Sequence, residues 1–461
     1  MAAAAPHALV LPYPAQGHVI PLMELSHLLL HRGFRVTFVN TEFNHRRMLA
    51  TSNFAGRSTV SSVGSKIRLV TIPDGLGPEE DRNDLARLTV ALKRVMPGCL
   101  EEMIRSAGEL AGDERFSCLV ADLNMAWAID VAKKMGLRAA AFWPASAGLL
   151  FTVLCIPKLI EDGIINEDGG APKKEMIQLS PEMTSMDTNK LSWNYFPDSL
   201  TRKIIFQYFC SYNGSAAEAA AIICNSFHGL EPAVFSHAPH LIPIGPLPGR
   251  SGEVPASYFF PEDRPCATWL NAQPPRSVVY VAFGSLAVFN PDQFRELALG
   301  LELTGRPFLW VVRPDFAVGG GEFPSGFEER VGERGRIVAW APQKEALEHP
   351  AVGCFVSHCG WNSTMEGVRN GVPFVCWPYF GDQFYNQSCI CSAWRNGVSV
   401  VRDESGMVSR EEVRRRVEEV VGDEGLRGRC VELKEMAERS AGEGGSSFQN
   451  FNWFLDLMKG V

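Results

Sequence analysis

Between Trp340 and Gln383 the sequence reads WAPQKEALEHPAVGCFVSHCGWNSTMEGVRNGVPFVCWPYFGDQ. VGCFVSH, Val352–His358, is a short apolar, β-rich run that predicts a buried strand. CGWNS follows at once: Gly360 supplies backbone freedom, and Asn362 and Ser363 are residue types that cap helix N-termini. TMEGVRN then predicts a helix that stops at Gly371. A strand, a glycine turn and a helix N-terminus make an anion site, because unpaired amides and the positive end of the helix dipole point at one place. His358, Asn362 and Ser363 can add donors there. Glu366, one turn further on, can accept hydrogen bonds from ribose hydroxyls. Upstream, Trp340 precedes the rigid Ala341-Pro342 turn and could offer an indole face to a flat base. Downstream, Asp382 and Gln383 are polar groups suited to sugar hydroxyls. Together they point to a nucleotide-sugar site; singly, each also fits a generic α/β crossover with a core tryptophan.

A second candidate pair lies far upstream. His18, in AQGH, follows the first predicted strand, and Asp122, in VADLNMAW, ends the fourth. In a parallel sheet both would sit on one carboxyl edge. A lone histidine there is commonly structural, and a lone aspartate commonly caps the next helix. As a pair they can do more: a carboxylate holds one imidazole nitrogen as donor and leaves the other to accept a proton.

The stretch from Trp340 to Gln383 resembles the C-terminal signature box of plant family 1 UDP-dependent glycosyltransferases, through WAPQ, HCGWNS, the following glutamate, GVP and the closing DQ. The length of the chain and the order of its elements are similar to that family throughout. The resemblance implies the GT-B fold, an α/β architecture of two doubly wound Rossmann-like domains facing across a cleft. It implies that His18 is the general base and Asp122 orients it. It implies that Trp340 stacks on uracil and Ala341 meets its edge, that Gln343 and Glu366 hold ribose, and that Trp361, Asp382 and Gln383 contact the sugar. The diphosphate would meet the helix start with His358, Asn362 and Ser363, and Ser285, in the FGSL turn, is either a further phosphate contact or a simple turn residue. Glutamine at position 383 goes with glucose in the family, which makes UDP-glucose the expected donor substrate.

The expected reaction is transfer with inversion, with no cofactor and no metal; no D-x-D triplet occurs to clamp a metal–diphosphate pair. Phe142, Trp143, Ser146 and Trp193 are the candidate acceptor-pocket residues, although core packing explains each of them as well. The resemblance suggests a flavonoid, monolignol or other phenylpropanoid acceptor. Terpenoid, hormone or carboxylic-acid acceptors are the alternatives, and a nucleotide-sugar-binding protein without turnover is a more remote one. A dinucleotide-dependent oxidoreductase would need a G-x-G-x-x-G run and a serine hydrolase a G-x-S-x-G elbow; neither occurs.

These residues must be held by a large scaffold. The 461 residues carry 46% hydrophobic and 21% charged side chains, a balance that suits a soluble globular chain of two or three domains. The net charge of −8 gives no broad basic surface for nucleic acid or anionic membrane. Twelve cysteines without paired spacing read as reduced thiols of the cytosol, and a monomer in the cytoplasm is expected. The start of the chain lacks a basic region before its apolar run and does not read as a signal peptide. Ala139–Pro157 is uncharged and long enough to span a membrane, but its prolines and strand pattern favour a buried strand and helix.

Strand-like runs alternate with helical ones twice over, which predicts two mostly parallel sheets. The expected organisation is an acceptor-binding domain over 1–245, a proline-rich linker over 246–276, a UDP-sugar-binding domain over 277–445, and a final amphipathic helix over 446–461 that packs back on the first domain. Residues Glu161 to Leu200 read as an irregular insertion.

Overall fold

In the computed structural model, the described residues are 5–50, 67–109, 115–196, 198–247, 262–316 and 322–460. They form two compact units, one of Met1–Gly249 with Arg439–Val461, the other of Arg250–Glu438.

The first unit is built on β1 (His7–Leu11), β2 (Arg35–Thr41), β3 (Ile67–Ile72), β4 (Cys118–Asp122) and β5 (Arg138–Trp143). A small antiparallel hairpin follows, β6 (Met176–Ile177) with β7 (Met186–Asp187), and then β8 (Ala221–Cys224) and β9 (Leu241–Pro243). The main sheet is parallel throughout, in the order β3-β2-β1-β4-β5-β8-β9. β1 and β4 are buried at every position, as strands covered on both faces must be, and their sequences HALVL and CLVAD are correspondingly apolar.

The second unit repeats the plan with β10 (Val278–Ala282), β11 (Phe308–Val311), β12 (Gly335–Val338), β13 (Val352–Ser357), β14 (Phe374–Cys376) and β15 (Gly397–Ser399). Its sheet runs β12-β11-β10-β13-β14-β15, again all parallel. Phe283, Phe289, Phe294, Trp310, Phe316 and Trp377 pack into one aromatic core on this sheet. In both sheets the strand order reverses beside the first strand, between β1 and β4 and between β10 and β13. Such switch points at the carboxyl ends of the strands are where doubly wound sheets bind ligands.

The boundaries differ from those read in the sequence. The Cys266–Asn271 helix, placed in the linker over 246–276, is folded into the second unit: Cys266 and Leu270 are buried, and the Asp263 amide donates to the Trp340 carbonyl at 2.8 Å. The proline-rich 248–261 lies outside the described residues. Residues 439–445, read with the second domain, group with the first unit. So does the final helix, Ser446–Lys459, which buries Phe451, Phe454, Leu455 and Met458. Arg32 donates to Asn452 Oδ1 at 2.7 Å and Asn450 donates to the Pro243 carbonyl at 2.8 Å. The charged run from Arg410 is two helices, Arg410–Gly422 and Glu424–Ala441, broken at Asp423. The uncharged stretch from Ala139 becomes β5 and the Ala147–Leu154 helix, and among the described residues no helix is long and apolar enough to cross a membrane.

Candidate active site

At the switch point of the first sheet, β1 and β4 lie in register with Leu11 beside Ala121. Asp122 is therefore level with the loop that leaves β1. That loop, Pro12 to Ala15, turns into the Gln16–His31 helix, whose N-cap Ala15 has an extended backbone and accepts the His18 amide at 2.9 Å. His18 is thus in the first helical turn, and its Nδ1 lies 2.7 Å from Asp122 Oδ2. The carboxylate is fully buried, whereas the imidazole keeps 27% of its surface exposed. A carboxylate beside Nδ1 selects the tautomer with its proton there, leaving the Nε2 lone pair to take a proton from a bound hydroxyl.

The carboxylate is itself held. Asp122 Oδ1 accepts the Asn124 amide at 2.8 Å and the Asn124 side-chain Nδ2 at 2.9 Å. The Tyr212 hydroxyl donates to Asn124 Oδ1 at 2.5 Å, and the Tyr208 hydroxyl donates to the Asn124 carbonyl. Both tyrosines come from one face of the Ser199–Glu218 helix. Burial pushes both phenols well above their usual range, so they remain O–H donors at any physiological pH.

At the switch point of the second sheet, β10 runs into Gly284, φ +67°, and Ser285, while β13 runs into His358, Cys359 and Gly360. Cys359, φ +64°, takes a left-handed turn, and its amide donates to Ser357 Oγ at 3.0 Å. The imidazole of His358 is pressed between two glycines: a Cβ at Gly284 would come within 2.5 Å of its Nε2, and one at Gly360 within 2.4 Å. Burial pushes His358 down to about 4; a backbone hydrogen bond to Ala282 works against that shift and the Arg313 charge works with it. The ring is therefore a neutral donor, not a cation, near neutral pH. The Trp361–Asn370 helix starts here, and its first intrahelical bond runs from the Thr364 amide to the Gly360 carbonyl at 2.9 Å. The amides of Trp361, Asn362 and Ser363 precede that bond and are not used by the helix itself.

Gln343 opens the Gln343–Glu348 helix and joins three neighbours. Its Nε2 donates to Ser363 Oγ at 2.7 Å and to Glu366 Oε2 at 2.7 Å, and its Oε1 accepts from the Tyr280 hydroxyl at 3.2 Å. Burial raises the Glu366 carboxyl above its usual range, opposed by the Lys344 charge and the bond from Gln343. Trp340 is half-buried just before this helix, and Ala341 is buried. Asp382 and Gln383 begin the Gln383–Ser388 helix. Asn386 Nδ2 donates to both Asp382 Oδ2 and the Cys359 carbonyl, each at 2.9 Å, which ties the Asp382 carboxylate to the glycine corner. Gln383 Oε1 accepts the amides of Tyr379 and Phe380 at 2.7 and 3.0 Å, fixing the loop that precedes it.

Residues 23–438 match the profile of the family described as UDP-glucoronosyl and UDP-glucosyl transferase. The chain belongs to that family. It is 43% identical to the Arabidopsis thaliana UDP-glycosyltransferase 83A1, over 98% of this chain and 97% of that one. It is 34% identical to the 7-deoxyloganetin glucosyltransferase of Gardenia jasminoides, over 98% and 97% of the respective chains. Among solved structures, a Polygonum tinctorium UDP-glucosyltransferase capable of glucosylating indoxyl, in complex with 3,4-dichloroaniline, superposes with a TM-score of 0.83 at 28% identity, each chain covered in full. The fold is accordingly GT-B, and the protein is a UDP-glycosyltransferase that uses a UDP-sugar as donor and transfers glucosyl groups to small molecules.

Several site residues of this UDP-glycosyltransferase stand differently from the sequence reading. Asn362 and Ser363 do not cap the helix; Gly360 does, without any side-chain bond, because a side chain there would strike His358. The Trp361 ring is buried, 6.1 Å from that of Trp394. The four acceptor-pocket candidates belong to the core. Phe142 is fully buried; Trp143 donates to the Ser146 carbonyl at 2.8 Å; Ser146 caps the Ala147–Leu154 helix by accepting the Leu149 amide at 3.0 Å; Trp193 donates to the Gly169 carbonyl at 2.9 Å. All four are buried, none more than 2% exposed. The sequence reading missed Asn124, Tyr208, Tyr212, Tyr280 and Asn386. Asn124 sits two residues from Asp122, a spacing suited to an Asx turn, which was the one available signal.

Proposed function

We propose that this UDP-glycosyltransferase transfers glucose from UDP-glucose to a hydroxyl of a small lipophilic acceptor, with inversion at the anomeric carbon. The observation that carries the reading is the placement of a histidine–carboxylate pair at one switch point and a glycine-lined anion corner at the other. His18 Nε2 takes the acceptor proton as the oxygen forms its bond to the anomeric carbon. The bond from that carbon to the β-phosphate oxygen breaks, its electron pair leaving with UDP. Asp122 stabilises the imidazolium that results. The negative charge gathering on UDP meets the Trp361–Asn370 helix start, neutral His358, Asn362, Ser363 and Ser285. Trp340 and Ala341 hold uracil, Gln343 and Glu366 hold ribose, and Asp382, Gln383 and the Trp361 backbone hold glucose. Preorganised dipoles can replace a metal clamp, so turnover is expected to persist in EDTA.

Phenolic acceptors, flavonoids and other phenylpropanoids, are the first class to test; similarity to an indoxyl-glucosylating enzyme supports a flat aromatic acceptor. Similarity to the 7-deoxyloganetin glucosyltransferase favours a second reading, an alicyclic terpenoid hydroxyl. A mass-spectrometric screen of mixed acceptors against UDP-glucose, UDP-galactose and UDP-xylose decides between them. Glucosides of phenols support the first reading, glucosides of terpenoid alcohols the second. Binding of UDP-glucose with no product across both classes would refute transfer.

A further inference from the structure

Arg313 follows β11 and is 2% exposed, and its hydrogen bonds among the described residues go to Gly284, Ala287 and Asp315. Its guanidinium is forked onto the loop after β10: Nη1 donates to the Gly284 carbonyl and Nη2 to the Ala287 carbonyl at 2.9 Å. Nε donates to Asp315 Oδ1 at 3.0 Å, but that carboxylate is 66% exposed. Water screens the exposed carboxylate more than the buried guanidinium, so Asp315 offsets the Arg313 charge less than a buried partner would.

The consequence for the loop follows from peptide geometry. The Gly284–Ser285 and Ala287–Val288 bonds are trans, so in each the N–H points opposite to the C=O. With both carbonyls turned toward the guanidinium, the amides of Ser285 and Val288 are turned away from it. Gly284 is also the residue that packs against the His358 imidazole. Arg313 thus fixes which way the first wall of the anion corner presents its dipoles, and it adds a full charge where His358 supplies none.

We propose that Arg313 is a positioning residue for diphosphate binding and departure: it holds the Gly284–Val288 loop with its amides toward the anion and supplies the fixed positive charge behind that loop. The proposal rests on the donor-site reading given above. It also differs from a purely structural role, in which a buried arginine merely satisfies two carbonyls. A structural role predicts a general loss of stability; the proposed one predicts a loss that grows with the number of phosphates in the ligand.

The test is calorimetric titration of the full chain with UDP, UMP and uridine, for the wild type, Arg313→Lys, Arg313→Gln and Asp315→Asn. In Arg313→Gln, UDP affinity is expected to fall about tenfold or more while uridine affinity changes by less than about twofold. Arg313→Lys keeps the charge without the two-pronged fork and is expected to recover part of the UDP affinity. Asp315→Asn removes only the exposed carboxylate and is expected to bind UDP no more weakly than the wild type. In turnover, Arg313→Lys lowers kcat with UDP-glucose while the acceptor KM holds. Equal losses for UDP and uridine, or unchanged UDP affinity in both arginine variants, would overturn the role of Arg313 and leave the donor site standing. A wild type that binds no UDP would instead remove the donor site itself, and the Arg313 proposal with it.

Discussion

His18 Nδ1 and Asp122 Oδ2 are 2.7 Å apart although 104 residues separate them, because β4 lies beside β1 where the strand order reverses. The carboxylate is fully buried, so it cannot trade the imidazole for water. Asp122→Asn keeps the size of the side chain and removes its charge, so it no longer favours the productive tautomer or the imidazolium. We expect kcat to drop roughly 10²- to 10⁴-fold with little change in UDP affinity, as measured by steady-state kinetics and UDP titration.

Asn124 supplies both donors found on Asp122 Oδ1, and Tyr212 fixes its amide from the other side. Asn124→Ala takes away the side-chain donor and strands the Tyr212 hydroxyl. A destabilisation of about 1–3 kcal/mol is expected in urea unfolding, together with a lowered kcat. Tyr212→Phe leaves both Asn124 donors to Asp122 in place and should show the smaller kinetic effect. Kinetics in Asn124→Ala indistinguishable from the wild type would mean that the asparagine serves stability alone.

Gly284→Ala, Gly360→Ala and Gly381→Ala separate collision from backbone strain. The first two place a Cβ against His358 Nε2 at 2.5 and 2.4 Å, whereas Gly381, φ +64°, has open space around it. Gly381→Ala is expected to lose about 1–2 kcal/mol of stability from its left-handed backbone, with UDP affinity retained. Gly360→Ala has no such backbone strain, so its loss of UDP affinity would isolate the displaced imidazole. Isothermal titration with UDP reads the difference.

Burial raises Tyr13 to about 12 and holds Tyr208, Tyr212 and Tyr280 well above the ordinary value of 10.0. In the unfolded chain these phenols ionise near 10. Their contribution is therefore complete below that pH and is lost as pH rises from 10 through the folded values. Urea midpoints should begin to fall near pH 9, where the unfolded chain ionises the thiols that burial raises at Cys118, Cys354 and Cys430, and fall more steeply above pH 10 as the phenols follow. A midpoint unchanged at pH 11 would contradict the enclosed, neutral phenols described here.

His358 works in the opposite direction, since burial lowers it from 6.5 to about 4. Stability linked to it is present above 6.5 and is lost as pH falls toward 4, because the unfolded chain takes the proton first. His358→Asn should flatten that acid limb in urea unfolding.

The two sheets were legible because their strands are covered on both faces, which leaves continuous apolar runs such as HALVL, CLVAD and VVYVA in the sequence. The strand–turn–helix from Val352 to Asn370 was legible because it is one short segment with every residue in chain order. The acceptor side was not. Aromatic residues following a strand look alike whether they line a pocket or fill a core, and Phe142, Trp143 and Trp193 fill the core. The supports of the His18–Asp122 pair were hidden for another reason: Tyr208 and Tyr212 reach Asn124 across 84 and 88 residues, through packing of a helix that no local pattern announces. Gly360 was read for its flexibility. It is glycine because the neighbouring imidazole leaves no room for a Cβ.

The most direct measurement is the rate of glucoside formation from UDP-glucose by His18→Ala, made alongside titration of the same variant with UDP. The account predicts UDP affinity within about twofold of the wild type and a kcat lowered by roughly 10²-fold or more. Glucoside formation at the wild-type rate in that variant would contradict it.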